Sequence, residues 1–385
     1  MLYFNSILLW FGAAISIAEI FTGTLFAPLG LKLGIIIIII GHLIGCSLMY
    51  LVGLISTKTG LTTMESTERS FGKIGKSFFA SLNGLQLIGW TAVMIFSGAN
   101  ASHILIPSIS IITWSILISS LIIVWLIVKF KELKVFSFVV IFLLFILTLI
   151  VSKEIFTNKI NTVTKHSSLS IFSALELSIA MPLSWLPLIG DYTNETNKTK
   201  IPLISAITYF FASSWMYIVG LACALFANES DFAQILLKAN MGEVGILIIV
   251  LSTVTTTFLD AFSCGISFST LKLNSKKIAI LSVLLGLIIS IYWNQSSLES
   301  FLYLISSVFV PMAAIQITDF FLYKKDVSHL KINVSNSIIF IIGFILYRIL
   351  LATNFFLGIS IPVIFTTSLL VIIYNFLNSK RKKND

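Results

Sequence analysis

Cysteine is scarce in this 385-residue chain: three residues, with no paired spacing. That argues against a disulfide framework or a metal site, and Cys46, Cys223 and Cys264 read as small packing residues. Histidine is equally sparse, with His42, His103, His166 and His329 scattered along the chain. A membrane-bound enzyme would gather such residues at one face, and no metalloprotease, phosphate-loop or nucleophile-elbow motif is present either. The reading is therefore not an enzyme, without a cofactor and without a metal beyond a coupling Na⁺. Charge is the largest deficit. Only 11% of residues are Asp, Glu, Lys or Arg, where an ordinary soluble domain carries about 25%. No polar stretch is long enough for a separate soluble domain.

What replaces charge is hydrocarbon. Hydrophobic residues make up 57% of the chain, the mean hydropathy is +1.02, and long apolar runs recur from end to end, as in a multi-pass membrane protein. Twelve spans are predicted, near 7–27, 33–55, 78–103, 110–129, 133–152, 169–190, 202–227, 243–271, 278–293, 298–322, 336–354 and 358–378, the ninth being short. The N-terminus lacks a basic region and a cleavage site, so it reads as the first span rather than a removed signal. The whole chain, 1–385, reads as one transmembrane domain, with core helices over about 7–322 and two peripheral ones over about 336–378.

The net charge of +9 is a topology signal. With both termini in the cytoplasm, 19 basic residues fall inside and five outside, which fits the positive-inside rule. The expected location is the inner (cytoplasmic) cell membrane, with the lipid bilayer as partner and no nucleic-acid or obligate protein partner. The connection 56–77 reads as a cytoplasmic loop with short helical content, and the acidic stretch 228–242 as an interfacial helix or outer lid.

Two spans carry interruptions. The sixth holds Pro182 and Pro187 around Trp185, in Ser178–Tyr192, and proline removes a backbone donor and crowds the preceding turn. In a bilayer a broken helix survives only inside protein or along a wet cavity. The first span has the weak point Thr22-Gly23-Thr24, and its Ser16-Ile17-Ala18-Glu19 matches Ser178-Ile179-Ala180-Met181. Matching discontinuous helices five spans apart point to an inverted repeat of five plus five spans with a binding site at its centre.

A charge at the bilayer centre costs about 2.5–3.5 kcal/mol on insertion scales, so such residues should face an interior cavity. The candidates are Glu19, His42, Glu176, Asp260, Asp319 and Arg348. Glu19 could accept a hydrogen bond from a polar substrate or carry a proton. Asp260 follows the hydroxyl-rich Ser252–Thr257, whose oxygens could hold a small hard cation or bond back to their own helix. Trp90 and Trp185 offer flat faces for a planar ligand. Trp10, Trp114, Trp125 and Trp293 lie nearer span ends and read as interfacial-belt residues. His42 is expected to satisfy an interhelical hydrogen bond, Asp191 to cap a segment or pair with a basic loop residue, and Arg348 to be available for a buried ion pair.

Three segments, Trp10–Glu19, PLSWLPLIGDYT over 182–193 and LSTVTTTFLDAFS over 251–263, resemble the nucleobase–cation symporter family, type 1, and within it the hydroxymethylpyrimidine transporter branch near the cytosine permeases. The resemblance implies a LeuT-like all-α fold, ten core helices with discontinuous helices 1 and 6, and cation-coupled uptake of a pyrimidine by alternating access. It also implies that Trp90 and Trp185 sandwich a planar heterocycle, with Met94, Glu19 and Asp260 on the substrate side. A cation, Na⁺ or H⁺, would sit on the carbonyls of Ala14, Ile17 and Ser252 and the hydroxyls of Thr255 and Thr256. Relatives carry asparagine where this chain has Thr257 to Asp260. An amino-acid or amine transporter of the same fold is the alternative.

Overall fold

The computed structural model describes residues 2–128, 139, 142–143, 145–146, 148–150, 152–153, 169–196, 198–226, 242–294, 296–353, 355 and 358–384. In chain order the helices are α1 (Leu2–Ala14), α2 (Ile17–Thr24), α3 (Gly30–Thr59), α4 (Thr63–Ser66), α5 (Glu68–Leu105), α6 (Ile111–Ile127) and α7 (Ile171–Trp185). They continue with α8 (Ile189–Thr193), α9 (Lys200–Phe226), α10 (Gly242–Ser269), α11 (Ser275–Tyr292), α12 (Ser297–Tyr323), α13 (Val334–Ala352) and α14 (Ser360–Asn384). Among the described residues nine helices are long and apolar enough to cross a membrane, and the bent pair α1 and α2 makes a tenth. The shorter apolar helix α6 corresponds to the predicted fourth span. The predicted fifth span falls largely outside the described residues, and the proposed lid at 228–242 almost entirely so.

The first span is broken by 50° between α1 and α2. No proline is involved. Ser16 is extended (φ −140°, ψ 159°) and its hydroxyl accepts from the Glu19 N–H at 3.3 Å, capping α2 within the membrane. The break thus lies at Ile15-Ser16, upstream of the predicted weak point at Thr22-Gly23-Thr24.

The sixth span departs from expectation in the other direction. The α-helix runs straight through Pro182 to Trp185, then tightens to one 3₁₀ turn at Leu186–Leu188 before α8 resumes. Pro187 occupies the first turn of that segment, where a missing N–H costs least. The interruption is a change of pitch.

Both spans are moored by close backbone approach. A Cβ on Gly220 of α9 would stand 1.9 Å from the Ile20 carbonyl oxygen of α2, and one on Gly23 would stand 2.2 Å from the Tyr217 carbonyl oxygen. On the other side, a Cβ on Gly45 of α3 would stand 2.7 Å from the Ile179 carbonyl oxygen of α7, and one on Gly41 would meet Ser178 at 2.4 Å. Small residues let membrane helices approach where no hydrophobic force separates protein from lipid. In repeat terms, span one lies on span seven and span six on span two. Each contact is the image of the other.

The connection 56–77 has the short helical content expected of it, in α4, and is packed in place: α3 continues to Thr59, and Thr63, Met64, Ser66 and Thr67 of and beside α4 are buried. Gln316 of α12 donates to the Ser66 hydroxyl and the Gly190 N–H donates to Thr63 Oγ1, so this segment is built into the bundle. Arg348 is exposed on α13 and forms no ion pair among the described residues, so the buried pair expected of it is not seen. The three cysteines are free and buried, as packing residues should be.

Candidate substrate site

Trp185 stands at the C-terminal end of α7, where the 3₁₀ turn begins, and is 8% exposed. Its ring meets Trp10 of α1 edge-on at 5.9 Å and Tyr209 of α9 at 6.2 Å. Trp10 also meets Tyr192 of α8 at 5.9 Å and Tyr209 at 6.2 Å, both edge-on. Trp10 is therefore a fully buried member of an aromatic cluster, and its assignment to the interfacial belt is corrected. Proximity to a span end misled, because α1 starts at Leu2, well before the predicted span, and Trp10 lies on its inward face with Ala13 and Ala14. Trp114 and Trp125 are buried too, and Trp293 rests edge-on against Phe301.

Trp90 lies in α5, 6% exposed, edge-on to Phe301 of α12 at 5.5 Å. Gly89 leaves room for that phenylalanine. Met94, one turn further on, is buried as well. One turn before Trp90 is Gln86, which sequence reasoning passed over. Both of its amide hydrogens are spent, on Asn83 Oδ1 at 2.8 Å and on the Ser184 carbonyl at 3.0 Å. The second bond ties α5 to the residue preceding Trp185. Gln86 Oε1 and Trp90 Nε1 are buried with no hydrogen-bond partner among the described residues. The available signal was a pair of amides, Asn83 and Gln86, one turn apart in an apolar span and just before a tryptophan.

The register between α5 and α10 places Asp260. Asn83 Nδ2 donates to Ser267 Oγ, Cys264 lies against the Gly84 carbonyl, and Gly98 abuts Thr253, so the two helices run antiparallel. Asp260 falls at the level of Trp90. It is 3% exposed, electrostatically coupled to Tyr192, and has no hydrogen-bond partner among the described residues. Tyr192 itself shares a 3.2 Å hydrogen bond with Ser263, and Asp191 lies beside the same serine without any basic loop partner among the described residues.

The hydroxyl cluster divides. Thr255 donates back to the Ser252 carbonyl and Thr257 to the Thr253 carbonyl. Thr256 instead reaches the Gly12 carbonyl of α1 at 3.4 Å, and Ser252 Oγ is buried without a partner among the described residues. Span eight therefore touches span one just before its break. Ala14 and Ile17 flank that break, the Ala14 carbonyl accepting from the Ser16 N–H at 3.1 Å.

The remaining ionisable candidates have structural partners. Glu19 accepts from the Tyr209 hydroxyl at 2.5 Å and from Ser213 at 2.8 Å. His42 bridges α3 to its neighbours, with Nε2 2.7 Å from Ser213 Oγ and Nδ1 2.8 Å from Ser178 Oγ, the interhelical bond expected of it. Glu176 accepts from Tyr347 and from both the N–H and the hydroxyl of Ser360. Asp319 accepts from Asn336 at 2.6 Å and lies 3.6 Å from Lys325.

Comparison with known proteins fits this arrangement. Residues 2–338 match the family described as permease for cytosine/purines, uracil, thiamine, allantoin. The chain belongs to that permease family. It is 22% identical to the cytosine permease of Escherichia coli K12 over 298 residues, which is 76% of this chain and 71% of the relative. The structure resembles that of Mhp1, a nucleobase-cation-symport-1 family transporter, in a closed conformation with bromovinylhydantoin bound (TM-score 0.78, 17% identity, 97% of this chain and 90% of the other). It also resembles Mhp1 in an inward-facing conformation (TM-score 0.81, 14% identity, 98% and 91%). These matches show a transporter rather than an enzyme, with the LeuT-like all-helical membrane fold that the family resemblance implied.

Proposed function

We propose that this permease is a secondary active importer of a pyrimidine, of the hydroxymethylpyrimidine or cytosine type, coupled to a cation. The observation that most supports this reading is the pair of buried polar atoms without a partner among the described residues, Gln86 Oε1 and Trp90 Nε1, with the buried Asp260 carboxyl at the same level of the bundle. An unmade buried hydrogen bond costs about 1–3 kcal/mol, so a ligand that completes these bonds gains selectivity over one that cannot. Trp90 and Trp185 supply the ring faces, Met94 an apolar wall, and Asp260 and Gln86 accept from ring or exocyclic N–H groups. An aminopyrimidine presents such N–H donors around a flat ring.

For the cation, the carbonyls of Ala14, Ile17 and Ser252 and the hydroxyls of Thr255 and Thr256 form an all-oxygen donor set suited to a small hard ion such as Na⁺. The contact of Thr256 with the Gly12 carbonyl and the partnerless Ser252 hydroxyl support a site there. Coupling follows if the bound ion favours the conformation with higher substrate affinity.

The test is thermal-shift screening of purified protein against cytosine, hydroxymethylpyrimidine and a panel of amino acids, with and without Na⁺. Pyrimidines should raise the melting temperature, and Trp185→Ala should abolish that rise. A shift produced by amino acids alone, or one that survives Trp185→Ala, overturns the reading.

A further inference from the structure

Glu19 is the acceptor at the vertex of a closed circuit of contacts that ends on Trp185 from two sides. One arm is short: Tyr209 donates its hydroxyl to Glu19 Oε1 at 2.5 Å, and its ring lies 6.2 Å from that of Trp185. The other arm runs from Glu19 Oε2 to Ser213 at 2.8 Å, from Ser213 to His42 Nε2 at 2.7 Å, and from His42 Nδ1 to Ser178 at 2.8 Å. Ser178 sits seven residues before Trp185 on α7, about two turns away on the same face. Every polar member of the circuit is at most 1% exposed. It passes through α2, α9, α3 and α7, and so links both interrupted spans to the two helices that moor them.

A carboxylate can only accept, and here each oxygen already does so from a hydroxyl of the chain itself. Lone pairs remain on both oxygens, but the side chain is 1% exposed and gives a substrate no open approach to them. We propose that Glu19 is a positioning residue: it fixes the Tyr209 hydroxyl, and through Tyr209 and the Ser213–His42–Ser178 chain it sets where the Trp185 indole stands. This assignment rests on the reading of Trp185 as the substrate platform, and it replaces the direct contact expected of Glu19 from sequence. A binding surface held to a few tenths of an ångström needs support of this kind, because an aromatic ring at a helix end is otherwise free to tilt. Tyr209 is the least replaceable link, being the sole bridge in the circuit between a hydrogen bond and an aromatic contact with the platform.

The experiment compares wild type, Glu19→Ala, Tyr209→Phe, the double variant and Glu19→Gln. Near-ultraviolet circular dichroism of the ligand-free protein reads the Trp185 environment, with Trp185→Phe identifying its band. Cytosine binding, and the KM and maximal rate of cytosine counterflow in proteoliposomes, read the consequence. Glu19→Ala and Tyr209→Phe should each diminish the Trp185 band and raise Kd and KM by about fivefold to tenfold, while the maximal rate holds. The double variant should do no more than the worse single one, as coupled residues in one chain of contacts require. Glu19→Gln should restore all readouts, since its carbonyl accepts from Tyr209 and its amide donates to Ser213. An unchanged band in Glu19→Ala and Tyr209→Phe, or effects that multiply in the double variant, overturns the assignment. Failure of the wild type to bind cytosine would instead count against the substrate reading, and the dichroism comparison would still decide the role of Glu19.

Discussion

The first and sixth spans occupy equivalent places in the repeat, yet the one without proline is sharply bent and the one with two prolines is nearly continuous. Each also buries one glutamate held by a tyrosine and a serine: Glu19 by Tyr209 and Ser213, Glu176 by Tyr347 and Ser360. The chemistry is the same and the destinations differ. Glu19 faces the aromatic cluster, whereas Glu176 faces the two C-terminal helices, capping the start of α14 and holding α13. The lesson is that residue type does not set the role of a buried carboxyl or a proline in a membrane helix. The elements packed against it do.

The largest way to break the comparison is at Glu176. Its removal in Glu176→Ala leaves Tyr347 O–H, Ser360 O–H and Ser360 N–H without their acceptor. At about 1–3 kcal/mol for each buried orphan, the loss should reach about 3 kcal/mol or more. The melting temperature should fall further than in Glu19→Ala, where two hydroxyls are orphaned and can rotate toward other acceptors. Ligand affinity should hold at position 176 and weaken at position 19. A reversal of that pattern would mean the two carboxyls have been given each other's roles.

Next in size are the mooring glycines. Overpacking costs about 1–3 kcal/mol in a well-packed interior, and more where backbone rather than a side chain is in the way. An added methyl group at Gly220 would overlap the Ile20 carbonyl at 1.9 Å, and at Gly45 the Ile179 carbonyl at 2.7 Å. Gly220→Ala should therefore destabilise more than Gly45→Ala, as read from detergent-solubilised melting curves. Equal losses would show that the bent span can shift on its neighbour and is not clamped there.

Much of this was legible in the sequence. Hydropathy located the spans, and the Ser-Ile-Ala match pointed to the repeat. Three features escaped. Trp10 read as a belt residue because linear position was taken for depth, whereas α1 starts at Leu2 and turns Trp10 toward α9. Gln86 did not stand out because an amide in an apolar helix says nothing until its hydrogen bonds can be counted. The 56–77 connection read as a loop with short helical content, and its burial did not show: Thr62 caps α4 and Thr63, Ser66 and Thr67 bond locally or to Gly190 and Gln316, so its hydroxyls are satisfied inside the bundle. Each of these depends on contacts between elements far apart in the chain.

The smallest predicted effects concern the breaks themselves. Ser16 supplies the side-chain acceptor for the first turn of α2 and is itself buried. Ser16→Ala should cost about 1 kcal/mol, the usual worth of an N-cap. In the sixth span, Pro182→Ala restores one backbone donor to a helix that is already continuous there, and Gly45 accommodates the chain on its other side. Its effect should be under about 1 kcal/mol and of either sign, because the regained donor is offset by a more flexible unfolded chain. The ordering matters more than either value. If Pro182→Ala destabilised more than Ser16→Ala, proline would be an active shaping element of the sixth span, and the view that packing against α3 and α9 determines both interruptions would be wrong.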